Sequence, residues 1–327
     1  MHTQESLRPE SADTGRIVLP HQTKVFERLL EIAKVTFSVQ RNTLPLRLRS
    51  NCLLVAPTGS GKTFLVEAVA TAMKVPFLNI SVSEWILLGC TQRGAVATWP
   101  SLVKFLRKHK SADGIVICCD ELDKLSAKRS QMWTDFQATE VYSLLDFRVP
   151  PTLADDNGDP LGESAIHDAQ EALRTKTLLI GLGAFQQIWD NRARPRLGFN
   201  ADAAGMDELP GLPALAQIIP RELANRFRSE VLILGPLSRI DYTRMLESSA
   251  AEVPLYLQAR FLALGRERID SALRDSQGPR FLEELLFDTL IAERRVSTAG
   301  LEPETSTGEK ALKSKSPPRP EPHWAAG

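Results

Sequence analysis

A short apolar run, a glycine-rich turn and an apolar helix, in that order, most constrain how this 327-residue chain can fold. Leu53–Val55 forms the apolar run, residues 56–63 read Ala-Pro-Thr-Gly-Ser-Gly-Lys-Thr, and a helical apolar period starts near Lys62. A strand, loop and helix of this kind bind phosphate, because backbone N–H groups surround one concavity and the positive end of the helix faces it. The pattern therefore predicts a nucleotide site.

Individual residues of this loop have expected roles. Gly59 and Gly61 permit the backbone angles that turn N–H groups toward phosphate oxygens, Lys62 would reach the β- and γ-phosphates, and the Thr63 hydroxyl would bind Mg²⁺. One position departs from the pattern, because Ala56 replaces its first glycine. A glycine-rich turn before an ordinary helix is the alternative. The residues expected to contact the nucleotide here are Pro57, Thr58, Gly59, Ser60, Gly61, Lys62 and Thr63.

A second apolar run ends in two adjacent carboxylates. Residues 114–119 read Gly-Ile-Val-Ile-Cys-Cys, and Asp120 and Glu121 follow. The run predicts a strand buried on both faces, as in parallel sheets. Beside the phosphate loop, Asp120 would bind Mg²⁺, and Glu121 would orient the attacking water as general base. A solvated acidic strand end is the alternative. Together the two patterns predict an ATPase that uses ATP and Mg²⁺.

Composition limits the class of protein. The 40 basic residues balance the 40 acidic ones, so no global charge favours nucleic acid, and the hydrophobic fraction of 43% is that of a globular protein. We find no apolar run of membrane-spanning length, and residues 1–14 are too polar for a signal peptide. The four cysteines (Cys52, Cys90, Cys118 and Cys119) form no C-x-x-C pair. These features predict a cytoplasmic protein without a membrane partner.

The order of patterns predicts a large domain and a small one. We expect a flexible N-terminus at 1–14, an α/β nucleotide-binding domain at 15–235, a helical lid at 236–297 and a disordered tail at 298–327. Residues 76–80, 177–181 and 230–234 are further strands. Residues 126–176 form a long polar stretch with one helix near 139–145. The lid would contain helices at 238–251, 253–264 and 279–294, broken at Gly265 and Gly278.

Over residues 17–295 these patterns resemble the AAA+ ATPases, and within them the ClpX-type unfoldases. The matching segments lie in that family's order: the loop at 56–63, the acidic strand end at 114–124, the sensor-1 strand with its Gly-Ala-Phe at 179–185, the arginine-finger segment at 219–227 and the sensor-2 Gly-Pro-Arg at 278–280. One such loop is common to many NTPases, whereas the ordered set is specific.

The resemblance implies an architecture and further site residues. It implies a P-loop AAA+ module with a five-stranded parallel sheet, helices on both faces and a small all-α lid. Arg226 would be a catalytic finger that acts on a neighbour's nucleotide, and Arg280 would be sensor 2 on bound nucleotide. A homo-oligomeric ring, a hexamer, and a protein substrate are implied as partners. Arg228 is the rival for the finger, and a surface salt bridge is the alternative role for Arg226.

Several segments depart from the ClpX type. The pore-loop stretch at 89–94 lacks an aromatic residue, Trp85 is expected in the core, and Gly181 leaves sensor 1 without a polar side chain. Residues 155–159 are acidic where ClpX has a basic entrance loop, and because C-x-x-C pairs are absent we expect no N-terminal zinc domain of the ClpX kind. Leu-Gly-Phe at 197–199 lies where ClpX docks a peptidase ring, and a turn is its alternative. Substrate grip would then fall to 90–93 or to Met132 and Trp133, in the second loop.

Three functions follow as hypotheses. The first is an ATP-driven remodeller or unfoldase of proteins. The second is a nucleic-acid-associated AAA+ regulator or loader, supported by the basic residues Arg93, Lys128 and Arg129 and by those of the tail, although the neutral net charge disfavours it. The third is a nucleotide-gated scaffold with slow turnover.

Overall fold

The computed structural model describes residues 18–38, 51–89, 98–125, 132–154, 159–189, 212–227 and 231–299. The expectations for the two termini, for residues 90–93, Lys128, Arg129 and 197–199, for most of the acidic loop and for Arg228 concern residues outside these ranges. None of the described helices is long and apolar enough to cross a membrane.

Five parallel strands form one sheet, as predicted. The strands are β1 (Asn51–Val55), β2 (Phe77–Ser81), β3 (Ile115–Asp120), β4 (Thr177–Gly183) and β5 (Val231–Ile233). Their order is β2-β3-β4-β1-β5, which places the strand before the glycine-rich loop beside β4 and two positions from β3. Strands β1, β3 and β4 are almost fully buried, because helices cover both faces of the sheet.

Helices alternate with these strands. The α-helices are α1 (Thr23–Phe37), α2 (Lys62–Ala72), α3 (Val82–Gly89), α4 (Thr98–Lys108), α5 (Met132–Leu145), α6 (Glu163–Lys176), α7 (Leu212–Ile218), α8 (Arg221–Ala224), α9 (Arg239–Ala250), α10 (Leu255–Arg274) and α11 (Arg280–Ala299). On one face of the sheet, α1 and α2 share an apolar core with alternate strand residues. On the other face, α3 to α6 build a second core, which includes the buried Trp85. The predicted α/β class is confirmed.

Helices α9 to α11 have an apolar core of their own. Tyr242, Met245 and Leu246 of α9 pack with Phe261 of α10 and Phe281 of α11. A capping box begins α9, because the side chains of Ser238 and Asp241 bond each other's backbone N–H groups. Leu19, which lies ahead of α1, also joins this cluster. The N-terminal segment therefore connects the helical cluster to the sheet.

Two predictions about helices are wrong. Helix α10 continues through Gly265, whose missing side chain leaves room for Leu246: a Cβ there would lie 2.4 Å from a Leu246 methyl. The polar stretch at 126–176 contains α6 and a longer α5 than expected. Met132 and Trp133 accordingly belong to the start of α5 and not to a loop. Helix α5 has little amphipathic character. The buried face of α6 does have a helical period, but it consists mostly of small alanines (Ala165, Ala169 and Ala172), which give a weak apolar signal.

Candidate active site

The glycine-rich loop (residues 56–61) has the backbone conformation of an anion cradle. Gly59 and Gly61 have φ angles of +79° and +78°, a left-handed region that side chains disfavour. Gly61 caps α2, which begins at Lys62, and the loop joins this helix to the end of β1 at Val55. Backbone N–H groups and the positive end of α2 therefore meet at one point, where a phosphate group would be stabilised. Ala56, the departure from the pattern, is fully buried in the core and leaves this geometry intact.

The Lys62 ammonium lies across this loop. Its Nζ donates hydrogen bonds to the carbonyl oxygens of Ala56, at 3.0 Å, and Pro57, at 2.9 Å. Burial lowers the pKa of Lys62, and the nearby carboxylates of Asp120 and Asp123 oppose that shift. A phosphate beside Nζ would favour the charged ammonium in the same way. The chemistry of the position thus suits an anionic ligand.

Thr63 and Asp120 bring two oxygen ligands together. The Thr63 hydroxyl Oγ1 donates to Asp120 Oδ2 at 2.5 Å, which joins the start of α2 to the end of β3. Mg²⁺ prefers such hard oxygen atoms and completes its shell with phosphate oxygens and water. No group of three or more His, Cys, Asp or Glu side chains among the described residues could hold a metal alone. Two protein oxygens of this kind fit a Mg²⁺ ion whose remaining ligands come from phosphate and water.

Glu121 is held in an uncommon backbone conformation. Its φ is +61°, and its backbone N–H donates to Asp120 Oδ1 at 2.8 Å. Ser81, the last residue of β2, donates its hydroxyl to Glu121 Oε2 at 3.1 Å. Left-handed non-glycine residues cost free energy and concentrate at functional sites. Ser81 escaped the sequence analysis because only the β2–β3 pairing, which aligns Ser81 with Asp120, brings it to the site.

The end of β4 contributes no polar side chain, as the sequence suggested for Gly181. A Cβ at Gly181 would lie 2.3 Å from a Leu122 methyl and 2.5 Å from the Phe227 ring. The polar contact comes instead from Asp123, whose Oδ1 accepts a hydrogen bond from the Ala184 N–H at 3.2 Å. Asp123, which the sequence analysis did not select, therefore ties β4 to the segment after Glu121.

These groups line one cleft of about 1010 Å³ between the sheet and helices α9 to α11. The sheet side contributes the glycine-rich loop, Lys62, Thr63, Asp120 and Glu121. The helical side contributes apolar residues such as Val253, Pro254 and Phe261, and also the charged Glu252, Arg280 and Glu283. A nucleotide, which has a flat base and charged phosphates, would suit this mixed lining.

Arg226 lies away from this cleft. Its Nε pairs with Asp146 Oδ2 at 3.3 Å, its Nη1 donates to the Glu222 carbonyl at 2.5 Å, and its guanidinium stacks 4.2 Å from the centroid of the Tyr142 ring. Asn51, the first residue of β1, donates to the Arg226 carbonyl. The glycine-rich loop follows the last residue of β1. Arg226 and the loop therefore lie at opposite ends of this strand. The salt bridge named as the alternative role is present in this chain.

Residues 52–157 match the family described as "ATPase family associated with various cellular activities (AAA)". Over this segment the chain is similar to an AAA domain. The match covers the glycine-rich loop, Asp120 and Glu121. The resemblance to the AAA+ ATPases that the motif order predicts is confirmed, and so is the AAA+ fold.

Two relatives extend the comparison beyond the AAA domain. The chain is 29% identical over 231 residues to the ATP-dependent Clp protease ATP-binding subunit ClpX of Treponema denticola, which covers 65% of this chain. It is 37% identical over 87 residues, 26% of its length, to the ATP-dependent zinc metalloprotease FtsH of Slackia heliotrinireducens. The matches span 55% of that ClpX and 10% of that FtsH.

Proposed function

We propose that this chain binds ATP with Mg²⁺ and hydrolyses it to ADP and phosphate. One observation carries the proposal: a single cleft joins an anion cradle, an oxygen pair suited to Mg²⁺ and a carboxylate held by Ser81. The adenine ring would pack against the apolar residues that line the cleft, such as Val253 and Phe261, and Arg280 would contact the phosphates from α11. An ordinary glycine-rich turn does not explain why these groups share one cavity.

The residues would divide the work of phosphoryl transfer. Backbone N–H groups of the glycine-rich loop and the Lys62 ammonium bind the β- and γ-phosphates and withdraw charge from the bond that breaks. A bound Mg²⁺, held by Thr63 and Asp120, would neutralise charge on the same oxygens. Glu121 accepts a proton from the attacking water, and Ser81 orients its carboxylate. Catalysis then consists of positioning and charge stabilisation.

We also propose that the chain assembles into a ring, a hexamer, in which Arg226 serves the neighbouring subunit. Strand β1 alone separates Arg226 from its own glycine-rich loop by about 13 Å, at roughly 3.3 Å per residue. The Arg226 side chain is 24% exposed, so its guanidinium could exchange Asp146 for a phosphate across an interface. A guanidinium suits this exchange because it binds carboxylate and phosphate with the same planar geometry.

Proteins are the proposed substrates of the ring. The names of the two relatives describe an ATP-dependent zinc metalloprotease and the ATP-binding subunit of an ATP-dependent protease. Capture with a Glu121→Gln variant in ATP, followed by identification of both protein and nucleic acid, tests this class. Recovery of a protein that ATP releases from the wild-type chain supports remodelling. Recovery of nucleic acid alone would favour the regulator hypothesis instead.

Lys62→Ala should weaken ATP binding about 10- to 100-fold, because it removes charge-assisted hydrogen bonds to phosphate. Calorimetric titration of a non-hydrolysable ATP analogue with Mg²⁺ measures the change. Lys104→Ala is the matched control, since Lys104 is exposed on α4 and does not line the cleft. Unchanged affinity in a folded Lys62→Ala variant would exclude the glycine-rich loop as the phosphate site.

A further inference from the structure

The turn between α10 and α11 packs directly on the glycine-rich loop. Gly278, with φ +64°, is so close that a Cβ there would lie 1.9 Å from the Gly59 carbonyl oxygen. A Cβ at Gly59 would in turn lie 3.1 Å from the Gln277 carbonyl oxygen. Backbone meets backbone without space for a side chain on either partner. Since such contacts barely compress, the positions of the loop and of the turn are coupled.

One side-chain hydroxyl group reinforces this turn, beside backbone hydrogen bonds such as that from the Gln277 N–H to the Ala272 carbonyl, at 3.1 Å. Tyr242 of α9 donates its OH to the Ala272 carbonyl, at 3.1 Å, and accepts the Gly278 N–H, at 2.9 Å. Its ring is 1% exposed and packs edge-on against Phe281 of α11, with 5.7 Å between centroids. The hydroxyl therefore links the last turn of α10 to Gly278, two residues before α11. Buried backbone groups of this kind lose stability when their partner is removed.

Space for movement lies behind the loop. A second cavity, of about 130 Å³, is lined by Thr58, Ser60, Tyr242 and Gly278. The Ser60 hydroxyl is buried and has no hydrogen-bond partner among the described residues. The glycine-rich loop is therefore tightly packed at Gly59, whereas the Ser60 side chain borders a cavity. Release of the turn would let the loop shift toward this cavity and away from the phosphate position.

We propose that Tyr242 is a positioning residue of the nucleotide site. It does not line the cleft, and it acts through the turn, which it holds against Gly59. The same turn leads into α11, so Tyr242 also sets the place of Arg280. The inference rests on the proposed ATP binding, and it adds a residue that carries no charge and touches no nucleotide. The loop is preorganised for phosphate when the Tyr242 hydroxyl is in place.

Tyr242→Phe removes this hydroxyl and keeps the buried ring. We expect the affinity for a non-hydrolysable ATP analogue with Mg²⁺ to fall on the order of tenfold, the scale of two lost hydrogen bonds to buried backbone. Tyr256→Phe is the matched control, because Tyr256 lies on α10 and is 70% exposed. Circular dichroism verifies that each full-length variant is folded. Wild-type affinity in a folded Tyr242→Phe variant would overturn the proposal.

A double-variant cycle separates positioning from a general loss of stability. If Tyr242 acts through the turn that carries Arg280, Tyr242→Phe should cost less affinity in an Arg280→Ala background than alone. If the losses of binding free energy from the two substitutions are additive, the coupling between Tyr242 and Arg280 is contradicted. If the wild-type chain itself fails to bind the analogue, the proposed function fails and not this inference.

A second substitution tests the contact without Tyr242. Gly278→Ala inserts a methyl group against the Gly59 carbonyl and should also weaken analogue binding about tenfold or more, since the left-handed turn and the loop must both move. Gly162→Ala is its control, because a Cβ at Gly162 meets no atom within 4 Å. Full affinity in the folded Gly278→Ala variant would show that the turn and the loop are not coupled.

Discussion

Arg226→Ala should assemble and bind ATP but hydrolyse it about 10³-fold or more slowly than the wild-type chain. Arginine fingers contribute roughly 10³–10⁵ in rate because they offset charge that grows in the transition state. Phosphate release measures hydrolysis, calorimetry measures binding, and light scattering measures assembly. Arg221→Ala is the matched control, since Arg221 is exposed on α8, the short helix just before Arg226. If an assembled Arg226→Ala variant hydrolyses ATP at the normal rate, Arg226 has no part in catalysis. Its role would then be structural, through its contacts with Asp146 and Tyr142.

Mixed rings show whether Arg226 acts on a neighbour. Arg226→Ala subunits retain an intact cleft, whereas Lys62→Ala subunits retain an intact Arg226. Mixing the two variants should restore part of the ATPase activity. It should do so at interfaces where the intact cleft of an Arg226→Ala subunit meets the intact Arg226 of a Lys62→Ala subunit. No recovery in mixed assemblies of verified composition would count against action in trans. A larger loss in Arg228→Ala than in Arg226→Ala would assign the finger to the rival residue.

Glu121→Gln should bind ATP as the wild-type chain does and hydrolyse it about 10²- to 10⁴-fold more slowly, because an amide cannot accept the proton of the attacking water. The amide oxygen can still accept the Ser81 hydroxyl, so the backbone conformation at Glu121 should survive. Glu84→Gln is the matched control: Glu84 is exposed on α3, and its backbone N–H also bonds Ser81. Hydrolysis at the wild-type rate in Glu121→Gln would remove Glu121 from the reaction.

The sequence predicted the sheet well because its three central strands, β1, β3 and β4, are buried on both faces. Apolar runs such as residues 115–119 have few other stable environments in a chain of this composition. The ends of those strands also placed Lys62, Thr63, Asp120 and Glu121 together, since the carboxyl ends of parallel strands meet at one edge. The residues that the sequence pattern selected are therefore those that the parallel strand topology brings together.

Features that depend on strand order or on contacts between distant segments were not predictable. Ser81 meets Glu121 only because β2 pairs with β3, and Tyr242 meets Gly278 only because α9 packs across the end of α10. Gly265 looked like a helix break because glycine weakens isolated helices, yet tight packing against Leu246 favours it in α10. Tertiary packing, which a single sequence does not display, decided each case.

Phosphate release from ATP by the full-length wild-type chain in Mg²⁺ tests the central claim most directly. Lys62→Ala at the same protein concentration provides the reference for contaminating activity. The cleft predicts turnover by the wild-type chain that Mg²⁺ removal abolishes and that Lys62→Ala lacks. Wild-type phosphate release no faster than that of Lys62→Ala, under conditions where the chain is assembled and ATP binding is saturated, would contradict an ATPase.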